Sequence, residues 1–208
     1  GSRGIGLSMA KAFAKAGASV VINYRSDDNQ ANAALEELSK ISKNVIAIKA
    51  DVTEAAERDR LLEKVLSHFN KIDVLINNAG LTNRLAFLES TEEDYDRIFD
   101  CNLKALLFLS QIVAKQFIKQ NSGGSIINIS STAAHRAFNN LIYYSASKAA
   151  VLKVTKNMAR ELAPHNIRVN SISPGYFKTD MNRNKWEGNP KQWKKETSVI
   201  PMLRAGNI

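Results

Sequence analysis

Apolar residues recur along the chain in two alternating patterns. One repeats every three to four residues and predicts helices. The other is a short, nearly continuous apolar run and predicts buried strands. Ile5, Met9, Ala10, Phe13 and Ala14 carry the helical spacing from the start of the chain, and Gly17 is suited to end that helix. Residues 19–24 (S-V-V-I-N-Y) then read as a strand, 28–39 as a helix, 44–50 (N-V-I-A-I-K-A) as a strand and 55–69 as a helix. Residues 72–76 form a strand running into N-N-A-G, and 91–120 form a long helix broken or bent near Cys101 and Asn102. A strand at 125–129, a helix at 144–163 and a strand at 168–172 complete the alternation.

Strands that are apolar throughout and separated by helices predict a parallel sheet covered on both faces. The fold class is therefore α/β, a doubly wound Rossmann-type sheet in three layers, α/β/α. Ligands of such sheets bind at the carboxyl ends of the strands. The polar residues of interest fall there: Tyr24 and Arg25, Asp51, residues 77–80, Ser131, and residues 174–179. There is no internal repeat, low-complexity tract or linker, so residues 1–208 read as a single domain.

Composition narrows the setting. A chain of 208 residues, 44% hydrophobic and 24% charged, is long enough for one sizeable core. Its longest apolar run, residues 105–109, is far too short to span a membrane. The single cysteine, Cys101, excludes an internal disulfide framework and fits a reducing, cytoplasmic setting. It reads as a small buried hydrophobe rather than a reactive thiol. The net charge of +9 suits an acidic partner. Much of the excess lies late, in Lys178, Arg183, Lys185, Lys191, Lys194 and Lys195, together with Trp186 and Trp193. That stretch reads as a helical flap whose tryptophans cover a pocket; stacking on nucleic acid bases is the alternative.

Candidate chemistry centres on a serine, a tyrosine and a lysine. Ser131 follows the strand at 125–129, Tyr144 comes thirteen residues later, and Lys148 four residues after that. On a helix, positions i and i+4 share a face, so Tyr144 and Lys148 point into one space and Tyr143 faces elsewhere. A free phenol has a pKa of about 10 and is a poor acid or base at neutral pH. A neighbouring ammonium lowers it. The tuned phenol can then protonate a carbonyl oxygen or take a proton from an alcohol, while the serine hydroxyl holds the same oxygen.

Gly4 and Gly6 sit at the mouth of the first helix, where glycines let backbone approach a pyrophosphate. A tight turn into a helix is the plainer reading of the same pair. At the end of the second strand, an NAD site would place an acidic residue on the ribose hydroxyls. Here the residues are Tyr24 and Arg25, with Arg3 in the glycine turn. Two guanidiniums suit a 2′-phosphate, which favours NADP(H) over NAD(H). Asp27 and Asp28 would oppose this if the strand ran further.

Together these residues resemble the short-chain dehydrogenase/reductase family, in its standard subgroup. The resemblance covers almost the whole chain. It rests on S-R-G-I-G at residues 2–6, D-V at 51–52, N-N-A-G at 77–80 and C-N-L at 101–103, followed by the serine pair at 130–131, Y-S-A-S-K at 144–148 and P-G-Y-F-K-T at 174–179. It implies that Tyr144 is the general acid/base and that Lys148 lowers its pKa and holds the nicotinamide ribose. Ser131, favoured over Ser130 by its spacing, positions the substrate oxygen. Asn102 holds a water in a proton relay. Ser2, Arg3, Gly4, Ile5 and Gly6 would line the phosphates and adenosine, with Tyr24 and Arg25 beside them. Asp51 and Val52 would meet the adenine, and Asn78, Ala79 and Gly80 the adenosine side. Pro174, Gly175, Phe177 and Thr179 would meet the nicotinamide amide. No metal is implied.

The resemblance further implies a 3-oxoacyl thioester reductase, acting on a small molecule or on an acyl carrier protein, and a homotetramer built on the helices at 91–120 and 144–163. A sugar or polyol dehydrogenase like glucose 1-dehydrogenase is the alternative, as is a non-catalytic binding protein on the same fold. Nucleic acid and membrane partners are not expected. Substrate choice is expected to lie in the flap after Met181. The family's first glycine and first strand are expected ahead of Gly1, and a further helix and strand after Ile208. On that reading the chain is a fragment whose sheet would be unstable alone.

Overall fold

Helix and strand alternate from the first residues of the computed structural model, which describes residues 1–179 and 182–208. The order is α1 (Gly4–Lys15), β1 (Val20–Tyr24), α2 (Asp28–Ser39), β2 (Val45–Lys49), α3 (Ala55–Phe69) and β3 (Val74–Asn77). Then come α4 (Glu92–Phe99), α5 (Ala105–Gln120), β4 (Gly124–Ile129), α6 (Ile142–Leu162), β5 (Ile167–Ile172), α7 (Arg183–Trp186) and α8 (Pro190–Thr197). The α/β class is as expected. β1 pairs with β2, and β3, β4 and β5 form a second sheet in that order. The chain makes two compact units: Ile48–Ser173, and Gly1–Ala47 with Pro174–Ile208.

In the larger unit the strands run parallel, with Asn77 beside Asn128 and Asn128 beside Ser171. β5 alternates buried Ile167 and Val169 with exposed Arg168 and Asn170. Val113, Ala114 and Phe117 of α5 pack with Ile126, Ile167 and Val169, joined by Leu62 of α3 and Met158 and Leu162 of α6. Phe117 is fully buried, and its ring lies where a side chain on Gly124 would project. A buried polar chain crosses the same region. Asn77 Nδ2 donates to Asn128 Oδ1 and to Ser110 Oγ, each at 2.8 Å, and Asn128 Nδ2 donates to Thr155 Oγ1 at 2.9 Å. This chain fixes the carboxyl ends of β3 and β4 against α5 and α6, with every link a satisfied hydrogen bond.

Two element boundaries have clear causes. β3 begins at Val74 rather than Ile72 because the Gln120 amide occupies the Ile72 backbone: Ile72 N donates to Gln120 Oε1 at 3.0 Å, and Gln120 Nε2 donates to Ile72 O at 2.8 Å. The expected break in the long helix is a π-helical turn, Asp100–Lys104, between α4 and α5. Such wide turns insert a residue into the helix and re-aim its side chains. Here the turn buries Asn102 to 1% exposure. Ahead of it, Thr91 and Asp94 form a reciprocal capping box at the start of α4.

In the smaller unit, Ala10 and Ala14 of α1, Val20 and Ile22 of β1, and Ala34 and Leu38 of α2 form the core. α1 is capped by Ala16, and Gly17 takes φ +84° while Ala18 N donates back to Phe13 O at 3.0 Å. Only glycine adopts that conformation freely, which is why the helix stops there. The Asp27 carboxylate caps α2, accepting from Gln30 N at 2.9 Å. In the late segment, Tyr176 meets the Trp193 ring edge-on at 5.8 Å, and Trp186 Nε1 donates to Thr179 O at 3.2 Å. Both tryptophans are thus engaged by residues 176–179. Met181 lies outside the described residues, as does the Lys185 side chain. Among the described residues no helix is long and apolar enough to cross a membrane.

Candidate active site

The larger unit brings Asn102, Ser131, Tyr144 and Lys148 together. Tyr144 and Lys148 lie one turn apart on α6, with Lys148 Nζ 5.9 Å from the Tyr144 ring centroid. Ser131 sits two residues beyond β4 in extended backbone, and Ala133 N donates to its Oγ at 3.1 Å. Its hydroxyl lies close enough to the Tyr144 phenol to lower that group's pKa. Ser130 is buried, and its Oγ donates to the backbone oxygen of Lys148 at 2.8 Å. So Ser130 ties the strand end to α6, while Ser131 acts on the phenol.

Asn102 is fully engaged by protein. Its Oδ1 accepts from Leu81 N at 2.9 Å, and its Nδ2 donates to Leu81 O and to Ser147 Oγ, each at 3.0 Å. Ser147 Oγ donates in turn to Tyr144 O at 2.8 Å. Both amide hydrogens of Asn102 are used, so its side chain has no donor left for a water. Through these bonds it anchors the loop after β3 and the helix that carries Tyr144. Ser147 escaped the sequence reading; its only signal was its place one residue before Lys148.

The electrostatics depart from expectation at Tyr144. Burial holds its phenol above the ordinary tyrosine value, and the Ser131 hydrogen bond acts in the opposite direction. The lowering influence seen here is the serine hydroxyl. Lys148 is 4% exposed, and burial pushes its ammonium down to about 8, with the Cys101 thiol acting to raise it. Lys148 Nζ donates to Ile129 O at 2.8 Å, at the end of β4. Tyr143 faces away, as expected. It packs edge-on to Tyr95 at 5.5 Å and accepts from Ser90 Oγ at 3.3 Å. It lines a small cleft with Asn83, Leu85, Ile98 and Asn140.

The loop after β3 comes close to the cluster at Gly80. A Cβ there would stand 3.3 Å from Asn102 Oδ1 and 3.4 Å from Lys148 Nζ. Asn78 and Ala79 precede it in the same loop. Asp51 and Val52 follow β2, where Asp51 Oδ1 accepts from Thr53 N at 3.0 Å and from Thr53 Oγ1 at 2.7 Å. Among the described residues no group of three or more His, Cys, Asp or Glu side chains is placed to hold a metal.

The smaller unit carries the other expected cofactor residues. Ser2 is buried, and its carbonyl accepts from Gln30 Nε2 at 3.3 Å. Arg3 is exposed and precedes α1, whose first residues are Gly4, Ile5 and Gly6. Gly4 has φ +55°, and a Cβ on it would lie 3.6 Å from the Thr179 side chain. The glycine turn and the segment from Pro174 and Gly175 to Thr179 therefore meet. Phe177 forms an isolated bridge with Gly206, and Asn182 holds both Phe177 O at 2.7 Å and Thr179 N at 2.9 Å. β1 ends at Tyr24, whose hydroxyl donates to Asp28 Oδ1 at 3.0 Å; Arg25 beyond it is exposed.

Each unit on its own carries a feature that suits part of a nicotinamide dinucleotide. A glycine in the left-handed region opens a helix whose N-terminal amides favour phosphate. A side-chain-free position at Gly80 leaves room beside Lys148. The profile of the short chain dehydrogenase family matches residues 1–190. The chain is 40% identical over 183 residues to a 3-oxoacyl-[acyl-carrier-protein] reductase of Synechocystis, covering 88% of this chain and 74% of that protein. It is 37% identical over 178 residues to a 2-dehydro-3-deoxy-D-gluconate 5-dehydrogenase of Dickeya dadantii, covering 85% of this chain and 69% of that protein. Among solved structures it is similar to the 3-ketoacyl-(acyl-carrier-protein) reductase of Brucella melitensis complexed with NADH. There the identity is 34% and the TM-score 0.90, covering 99% of this chain and 82% of that one.

Proposed function

We propose, for a chain that belongs to the short-chain dehydrogenase family and is an oxidoreductase acting on CH–OH groups, that it reduces a 3-oxoacyl thioester with NADPH. The observation that carries this reading is the placement of Tyr144 and Lys148 one turn apart on α6, with Lys148 Nζ 5.9 Å from the Tyr144 ring and Ser131 acting on the phenol. When bound, the nicotinamide supplies or accepts the hydride. Ser131 orients the substrate oxygen. Tyr144 delivers a proton to that oxygen in reduction and removes it in oxidation. Lys148 binds the ribose with the ammonium hydrogens that Ile129 O does not take. Asn102 and Ser147 hold the phenol-bearing helix in place.

Preference for NADP(H) is supported by the end of β1. Asp27 is occupied as the cap of α2 and Asp28 by the Tyr24 hydroxyl, so neither carboxylate is presented as a bare ribose acceptor. Arg25 and Arg3 are exposed and offer guanidiniums to a 2′-phosphate. Asp51 and Val52 receive the adenine. A cytoplasmic homotetramer fits the apolar surface left open on α5 and α6, where Phe108, Ile118 and Ile142 are exposed. The likeness to the Dickeya dadantii enzyme favours a sugar-acid or polyol substrate as the second reading.

The test is a comparison of acetoacetyl thioester reduction with NADPH against NADP⁺ reduction with sugars and polyols. Thioester turnover with NADPH and little with NADH supports the proposal. Turnover confined to sugars moves the assignment to the second reading.

A further inference from the structure

Arg58 is a buried cation in the first turn of α3, only 6% exposed. A buried guanidinium is unfavourable unless its donors are used. Its NH1 donates to Val52 O at 2.7 Å and to Thr53 O at 2.9 Å, and its guanidinium carbon lies 5.5 Å from the Phe108 ring centroid. One nitrogen therefore gathers the carbonyls of two consecutive residues directly after β2. The neighbouring residues of α3 act on the same stretch. Glu57 Oε2 accepts from Asp51 N at 2.6 Å, and Arg60, 3.3 Å from Glu57, donates to Lys49 O at 3.1 Å.

Taken plane by plane, the backbone here is pinned on both sides of one peptide. The Ala50–Asp51 plane is held through Asp51 N by Glu57. The Val52–Thr53 plane is held through Val52 O by Arg58 and through Thr53 N by Asp51 Oδ1. The Thr53–Glu54 plane is held through Thr53 O by Arg58. Between them lies the Asp51–Val52 plane, which carries the Val52 N–H. That N–H and the Asp51 carboxylate are the donor and acceptor that the two residues assigned above to the adenine can offer as an edge. We infer that Arg58, assisted by Glu57, is a positioning residue that presets this edge and thereby sets the affinity for the adenosine half of the cofactor. The inference rests on the adenine reading of Asp51 and Val52. Its physical basis is preorganisation: a loop already fixed by α3 is not ordered at the expense of binding.

The measurement is the dissociation constant of ADP-ribose and of NADPH, by calorimetry, for the parent and for Arg58→Met, Arg58→Lys and Asp51→Ala. Arg58→Met is expected to weaken ADP-ribose roughly tenfold, the scale of lost loop preorganisation. Its kcat at saturating cofactor should stay within about threefold, because no reacting atom is touched. Arg58→Lys, which keeps the charge and one donor, should recover part of the affinity. A role in stability alone would lower the folded fraction and leave the dissociation constant of the folded protein unchanged. Parent-like ADP-ribose binding in folded Arg58→Met, with weakened binding in Asp51→Ala, would overturn the positioning role while leaving the adenine reading intact. Parent-like binding in Asp51→Ala would overturn the adenine reading and this inference with it. Should Arg58→Met fail to fold, Arg58→Gln, which drops the charge, carries the same comparison: parent-like ADP-ribose binding in it, with weakened binding in Asp51→Ala, would overturn the inference.

Discussion

Asn102 and Ser147 are joined by a 3.0 Å hydrogen bond, and Ser147 passes the link to the Tyr144 backbone. The π-helical turn that interrupts the long helix thus has a mechanical role. It buries an amide that ties the loop after β3 to the helix bearing the phenol. Ser147→Ala would leave one Asn102 hydrogen unpaired in a buried site, at a cost of about 1–3 kcal/mol. Turnover should fall more than cofactor affinity, because the displaced group is Tyr144. Steady-state kinetics and thermal melts of the variant check both parts.

Lys148 links activity to stability with opposite signs. Its ammonium titrates at about 8 in the folded chain because of burial. An unfolded lysine titrates near 10.4, so between these values the unfolded state binds more protons and stability rises with pH. Below about 8 both states are protonated and the burial penalty is present in full. Lys148→Met should therefore raise the Tm of the cofactor-free protein at pH 7 by a few degrees. It should also flatten the rise in stability between pH 8 and 10, while turnover is lost. Calorimetry across that range reads the effect.

Ser131 tunes the phenol. Its hydrogen bond lowers a Tyr144 pKa that burial has raised. Removing it in Ser131→Ala should push the phenol higher still. In the alcohol-oxidising direction, which needs the phenolate, the rising limb of the pH–rate profile should move to more alkaline pH. In the carbonyl-reducing direction the phenol stays protonated, and the falling limb should move the same way. A shift toward neutral pH in either direction would contradict the assignment.

Gly124 and Phe117 test the packing beneath the site. A methyl group on Gly124 would run into the buried Phe117 ring. Gly124→Ala should destabilise by about 1–3 kcal/mol, the usual scale of overpacking. Chemical denaturation gives the loss, and turnover of the folded fraction should be little changed.

Much of this was legible in the sequence because the signals were local. The helix end at Gly17, the helix over residues 55–69, the apolar runs of the five strands and the break at Cys101–Asn102 all fall within about two residues of where they were expected. The Ser131–Tyr144–Lys148 spacing brought these residues together because a strand end and one helical turn determine their placement. What was not legible depends on partners distant in the chain. Ile72 reads as strand, yet its backbone is taken by Gln120. Nothing in the local pattern around Arg58 marks it as buried against Val52 and Thr53. The upward push on Tyr144 comes from burial, which the i,i+4 lysine alone could not reveal.

The central claim is that Tyr144 is the proton donor to the substrate oxygen. The most direct measurement is NADPH oxidation with an acetoacetyl thioester by the parent and by Tyr144→Phe, with NADPH binding measured alongside. Turnover in the parent, its loss in the variant and parent-like NADPH affinity in both are the predicted result. Turnover in Tyr144→Phe within about tenfold of the parent, less than the loss typical of a missing general acid, would contradict the account.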